Sequence, residues 1–185
     1  MEQRDLQKLL LKTAVCTIAC DGEIHEKEVA EMNAMVSQAV YFKDLNGIEL
    51  LSEMLDAVNK SGRNFFHEFL EDLKSSELSI VQELLLLEVI LRIVYADERF
   101  DTNEEMFLRL VRTQLNVHDE IITQRFGTVP CLNASQRMEF SSVGIDSEIV
   151  KISSLFDNVK FASELSIDTP KSYSATEDLE DMTKQ

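Results

Sequence analysis

The chain has 185 residues, of which 44% are hydrophobic, and it contains 5 Gly, 2 Pro and no Trp. This length predicts one domain plus a tail, and few helix breakers beside abundant Leu, Glu and Met favour helices over strands. The formal net charge of -16 disfavours binding to nucleic acid or anionic lipid, because phosphate groups are repelled. It favours divalent cations and basic protein partners, and it is also what a purely solubilising surface would show.

The spacing of apolar residues predicts an all-α fold, a compact bundle of about seven helices. In chain order the predicted helices span residues 4–20, 25–38, 45–60, 63–74, 77–96, 102–115 and 117–126. The segment 77–96 is the most apolar, so we expect it to form the centre of the bundle.

Local signals mark where these helices begin and end. Gly22 suits a left-handed position after the first helix, and Gly127 ends the seventh. Ser61-Gly62 is expected to separate the third helix from the fourth. Asp101 and Glu104 have the spacing of a capping box, with Asp at the N-cap and Glu three residues later.

Composition divides the chain after Gly127. Residues 1–127 are predicted to form the helical domain, and residues 128–185 a C-terminal extension with an amphipathic helix around 147–166 and a disordered end. That helix is expected either to fold against the domain or to bind a partner through its apolar side. Residues 1–126 contain 24 acidic and 13 basic side chains, so most of the negative charge belongs to the helical part.

Cysteine content and hydropathy predict a location. Three cysteines do not make a fully paired disulfide framework, and no basic segment followed by an apolar stretch marks a signal peptide. The apolar run Leu84–Ile90 is interrupted by Glu88, whereas a membrane span needs roughly 20 apolar residues. We therefore expect a soluble, cytoplasmic protein with no direct membrane insertion.

One sequence pattern occurs twice, with Asp21 and Asp97 76 residues apart. The first copy is CDGEIHEKE, ending at Glu28, and the second is ADERFDTNE, ending at Glu104. Each copy follows an apolar helix and opens an amphipathic one, which predicts two helix-turn-helix repeats related by approximate two-fold symmetry.

This paired pattern resembles the TerB-like family, named for the tellurite-resistance protein TerB. Members carry two A-D-G-x-[ILV]-x-x-x-E turns in an all-helical domain, and the resemblance covers about residues 5–126. The chain departs from the pattern at Cys20, where the family prefers Ala, and at Glu98, where it prefers Gly. The resemblance implies a non-enzymatic module tied to tellurite and other stress resistance. The same module occurs in membrane-anchored DnaJ-type co-chaperones, and the acidic surfaces of the family are linked to metal ions and to membrane-associated protein assemblies.

The repeat identifies four candidate metal ligands, Asp21, Glu28, Asp97 and Glu104. An EF-hand is disfavoured, because the loop positions that need carboxylates before Asp21 are Thr17 and Ala19. Two interpretations stay open. The carboxylates converge and hold Ca²⁺ or Mg²⁺, the only cofactors that the sequence suggests, or Glu28 and Glu104 cap their own helices while the two Asp residues close turns.

Other chemistries find less support in the sequence. Cys16 and Cys20 lie one helical turn apart, and His25 follows them. These residues form part of a zinc or redox site, or the two cysteines are core thiols, which is the more common case. G-x-S-x-G, a phosphate-binding Gly loop and H-E-x-x-H are all absent from the sequence, so no enzyme is predicted. The leading interpretation is an acidic, non-enzymatic interaction module in a stress-response or membrane-associated complex, whose protein partner the sequence does not name. The alternative is a soluble divalent-metal-ion binder or sensor.

Overall fold

The computed structural model describes residues 1–43, 46–96, 100–129, 132 and 142–161. Within these residues the fold consists of α-helices and one 3-10 turn, Val40–Phe42, with no strand. The seven helices are α1 Gln3–Ala19, α2 Glu26–Gln38, α3 Gly47–Ser75, α4 Ile80–Val94, α5 Thr102–Thr113, α6 Asp119–Phe126 and α7 Ser142–Leu155. The predicted all-α class is therefore confirmed.

Two helices, α1 and α4, form the centre of the bundle, and their contact is the most extensive between any two elements. The segment 77–96 was expected to hold this position alone. Helix α1 shares it, with twelve buried residues between Leu6 and Ala19. One of them is the polar Gln7, whose side-chain amide donates to the carbonyls of Tyr41 at 2.9 Å and Lys43 at 3.0 Å. A hydrogen-bonded Gln can be buried at low cost, which a count of polar positions does not reveal.

The predicted break at Ser61-Gly62 is confirmed and takes the form of a kink within α3. Ser61 alone has non-helical angles, with φ -157° and ψ 78°, and helical geometry resumes after it. The predicted segments 45–60 and 63–74 are therefore two helical stretches that meet directly at Ser61, because a single extended residue is enough to redirect a helix axis.

Predicted helix ends are confirmed where local chemistry controls them. Gly22 and Gly127 have φ values of 89° and 76°, in the left-handed region. The Asp101 carboxylate accepts the backbone N–H of Glu104 at 2.9 Å, and the Glu104 carboxylate accepts the backbone N–H of Asp101 at 2.8 Å. This reciprocal pair is the capping box predicted from the sequence.

The C-terminal helix α7 packs against α3 and α5. It begins at Ser142 and ends at Leu155, whereas the sequence placed a helix around 147–166. Residues 162–166 and the predicted disordered end lie outside the described residues. No helix in the described part of the chain is both long and apolar enough to cross a membrane.

Candidate functional site

The starts of α2 and α5, which follow the two repeated turns, lie beside each other. One turn joins α1 to α2, and the other joins α4 to α5. The carboxyl groups of Asp21, Glu28, Asp101 and Glu104, which we call the acidic joint, lie close enough there to interact electrostatically. The negative charges of all four act on the buried thiol of Cys20, at the end of α1, and add to the increase in its pKa that burial causes.

Glu28 and Glu104 occupy equivalent positions and contact each other. Each is the third residue of its helix, after the N-caps His25 and Asp101. Their side chains are 2% and 5% exposed. Each carboxylate accepts a hydrogen bond from the backbone N–H of its own N-cap residue, and the two carboxyl groups also interact directly.

This arrangement buries two carboxyl groups beside each other. The Oε2 atom of Glu28 is buried and accepts no hydrogen bond. Burial, then the charges of Glu104 and Asp21, raise the pKa of Glu28 to about 9. An increase in pKa is expected for two carboxyl groups that share one dry site. Unless a cation lies between them, one of the two retains its proton.

Asp21 lies at the edge of the joint and is better solvated. One of its oxygens accepts the backbone N–H of Glu23 at 2.8 Å, and the other lies 3.4 Å from Nε2 of His25. Burial raises the pKa of Asp21, and the charge of Asp101 raises it further, whereas the hydrogen bond from Glu23 and the imidazole of His25 oppose the shift.

The joint matches the predicted ligand set in part. It contains Asp21, Glu28 and Glu104, whereas Asp97 lies outside the described residues. It also contains Asp101, to which the sequence assigned only a capping role. The repeat held a signal for this residue, because Asp101 is the counterpart of His25 and both are N-caps beside a buried Glu.

Both sequence interpretations of the carboxylates agree with part of this geometry. Glu28 and Glu104 cap their own helices, and they also converge. Among the described residues, no three or more His, Cys, Asp or Glu side chains are already arranged to hold a metal ion. A cation would therefore have to draw the carboxylates together or add a ligand from outside the described residues.

The other metal-site hypotheses are resolved by burial and backbone geometry. Thr17 and Ala19 lie inside α1, so the residues before Asp21 are not an unwound EF-hand loop. Cys16 and Cys20 are free thiols with no exposed surface, and burial raises the pKa of each. Their complete burial agrees with the interpretation as core thiols.

The C-terminal segment covers one side of the joint. The side chain of Leu155, at the end of α7, packs on Gly22, where a Cβ would lie 3.7 Å from Leu155 Cδ2. The first turn of the joint is therefore in contact with a part of the chain that follows the helical domain.

Comparison with known proteins identifies a family but no individual relative. No curated protein and no solved structure matches the chain. The sequence model of the family described as tellurite resistance protein TerB matches residues 9–125, which contain both turns of the acidic joint. Because this match covers more than half of the 185 residues, the chain belongs to the TerB family.

Proposed function

We propose that this TerB-family chain is a non-enzymatic acidic interaction module whose joint between the two turns takes up a divalent cation, Ca²⁺ or Mg²⁺. The observation that carries the proposal is the buried contact between Glu28 and Glu104, with one Glu28 oxygen that accepts no hydrogen bond. Two carboxylates that are both ionised in a buried place destabilise the fold, so the pair retains a proton, as the raised pKa of Glu28 indicates, or takes up a cation in its place.

The chemistry of the donor set supports a hard cation. The side chains at the joint supply only carboxylate oxygens, with the imidazole of His25 beside Asp21. Ca²⁺ and Mg²⁺ prefer oxygen ligands and commonly keep several waters, so two or three carboxylates suffice. In this proposal Asp21, Glu28, Glu104 and Asp97 hold the ion, and Asp101 adds negative charge beside it.

The charge balance of the domain supports an interaction role. Residues 1–126 carry 24 acidic and 13 basic side chains, a surface that attracts basic partners and repels phosphate backbones. The proposed partner is a protein in a stress-response or membrane-associated complex. The cation would lower the repulsion at the joint and stabilise one relative position of α2 and α5.

Thermal unfolding with and without added ion tests the cation directly. At about 100 times the dissociation constant, an ion that binds only the folded state adds about 2.7 kcal/mol. For a chain of this size that free energy corresponds to a rise in melting temperature of about 5–10 °C. We expect the parent chain to show this rise with millimolar Ca²⁺ or Mg²⁺ at pH 7.5, and Glu28→Gln and Asp97→Ala to lose most of it.

The matched control is Glu26→Gln. Glu26 is exposed in the first turn of the same helix, so this substitution removes the same formal charge without touching the joint. It is expected to keep the full response. Absence of any ion-dependent shift in the parent chain, or an equal response in Glu28→Gln and Glu26→Gln, contradicts the cation site.

The second candidate function is a divalent-ion binder or sensor in which the ion itself is the ligand of interest. The same buried carboxyl pair favours it. Calorimetry separates the two roles, because a sensor requires micromolar affinity for the ion and an interaction module does not. Capture of a protein partner by the apo chain and the ion-loaded chain alike would support the module without a sensing role.

A further inference from the structure

The six residues that follow α7 are held against the kink of α3 by apolar contacts. Phe156 stacks on Phe66 of α3, with ring centroids 4.8 Å apart and an interplanar angle of 22°. Val159 and Phe161 are also buried, at 1% and 3% exposure. Three apolar side chains within six residues therefore anchor this segment, and we call residues 156–161 the tail segment.

Polar contacts hold the backbone and the charges of the tail segment. The Asn59 side chain donates to the carbonyl of Phe161 at 3.0 Å and accepts its backbone N–H at 2.7 Å. The guanidinium of Arg63 forms a two-pronged ion pair with the carboxylate of Asp157, in which Nε lies 3.2 Å from Oδ1. The Lys160 ammonium donates to the backbone carbonyl of Asn59. The Asn59 amide pairs with the N–H and the C=O of one residue, which binds peptide backbone independently of the peptide sequence. The ion pair with Arg63 favours an acidic residue at the position of Asp157.

Helix α3 is shaped for this contact. Gly62 follows the kinked Ser61, and a Cβ at Gly62 would lie 2.2 Å from the carbonyl oxygen of Phe156 and 3.0 Å from its carbonyl carbon. Only a residue without a side chain lets the two backbones approach this closely. Asn59, Gly62, Arg63 and Phe66 together form what we call the tail groove.

The groove and its occupant belong to different parts of the chain. All four groove residues lie within residues 9–125, which match the TerB family, whereas the tail segment lies beyond that match. The family domain thus supplies a built site for a short peptide, and the C-terminal extension supplies a ligand from the same chain.

We propose that the tail groove is a peptide-binding site, filled in this structure by the chain's own residues 156–161. Its partner is a protein that presents a peptide of the same chemistry, with the order aromatic, Asp, any residue, β-branched aliphatic, any residue, aromatic. The resident segment competes at the millimolar effective concentration of a tethered ligand. A partner peptide therefore binds weakly until the resident segment leaves the groove.

Peptide binding to a chain with a weakened resident segment tests this proposal. In the full-length protein, Asp157→Ala with Phe161→Ala removes the ion pair and the last anchor while leaving the stacked Phe156. The probe is a fluorescein-labelled peptide of residues 154–163, followed by anisotropy. We expect this double variant to bind the probe at least about tenfold more tightly than the parent chain does, as release from a tethered competitor requires.

Two further substitutions in the double variant identify the groove as the site. Gly62→Ala closes the groove against backbone and is expected to abolish probe binding, whereas Asn64→Ala, exposed on the same helix, leaves it unchanged. Arg63→Asp is expected to weaken binding of the probe. A probe that carries Asp157→Arg is expected to bind that variant with restored affinity. A folded double variant that binds no probe, or a charge exchange that restores nothing, overturns the proposal.

A cleavable form of the full chain covers the case in which the double variant does not fold. A protease site inserted between residues 133 and 141 is cut after folding, and the labelled probe is then added in excess. Exchange of the probe into the cut protein, with helical circular dichroism retained, supports the groove. A fragment that never exchanges, or a domain that unfolds when the fragment leaves, shows that the segment is a permanent part of the core. Exchange of segments between two copies, seen as a dimer that excludes the probe, also overturns the proposed partner.

Discussion

The substitution Glu28→Gln tests how the acidic joint affects stability. Gln keeps the size of Glu and an oxygen that accepts the backbone N–H of His25, but it carries no charge and donates N–H groups toward Glu104. Because the pKa of Glu28 in the folded chain is raised from 4.5 to about 9, the folded state binds a proton that the unfolded state releases. The free energy of unfolding therefore falls as the pH rises between these two values.

The size of the effect follows from this linkage. One bound proton corresponds to at most about 1.4 kcal/mol per pH unit. The charges of Glu104 and Asp21 act on Glu28, and interacting carboxyl groups titrate together, so the contribution of one residue is smaller than the full shift implies. Between pH 6 and 8 we expect the parent chain to lose about 1–2 kcal/mol more stability than Glu28→Gln does, and Glu28→Gln to be the more stable protein at pH 8.

Urea unfolding at several pH values, in buffer treated with a chelator, measures this difference. Glu26→Gln is the matched control, since Glu26 is exposed on the same first turn, and it is expected to follow the parent chain. A Glu28→Gln protein that is less stable than the parent at pH 8, or that has the parent's pH dependence, refutes the buried like-charge contact.

Two other predictions concern buried groups outside the joint. Glu83 is buried in α4, and its carboxylate accepts the backbone N–H groups of residues 116 and 117 at 3.0 Å and 2.5 Å. In Glu83→Gln one of these N–H donors faces an amide N–H₂ group, so urea unfolding is expected to show a loss of about 2–3 kcal/mol in stability. Glu77→Gln, exposed just before the same helix, is expected to change stability by less than about 0.5 kcal/mol, and equal losses in the two variants would contradict the reasoning. Cys16 and Cys20 are fully buried and their pKa values are raised. In a Cys131→Ser background, we therefore expect thiol reagents to label the native chain only as fast as the chain unfolds locally or globally. The urea-unfolded chain is expected to be labelled at once. Rapid labelling of the native chain would contradict their place in the core.

The positions of the predicted helices, and several of their ends, could be read from the sequence because they depend on neighbours within a few residues. The left-handed Gly22 and the capping box of Asp101 and Glu104 are such features, and the structure confirms them. The break at Ser61 is a third such feature, but the sequence does not state whether it is a kink or a loop. A kink and a loop begin with the same Ser-Gly signal, and the choice depends on what packs against α3.

The candidate site likewise has features that the sequence predicts and features that only the packing of the chain decides. The repeat placed Glu28 and Glu104 at equivalent positions, one in each turn, and this much is local. Their contact, and the burial that raises the pKa of Glu28, follow only from the packing of α1 on α4. A charge becomes costly when water is removed from it, and no pattern along the chain states how much water remains.

The sequence by itself determined the all-α class, the repeated turns and the excess of acidic residues, because periodicity, capping and charge are properties of short stretches. The tertiary structure decided which carboxylates meet. It also decided that α1 shares the centre of the bundle with α4, and that residues 156–161 fill the groove at Gly62. Those outcomes join residues as far apart as Asn59 and Phe161. They depend on shape and on the exclusion of water between helices, which form only when the whole chain is packed.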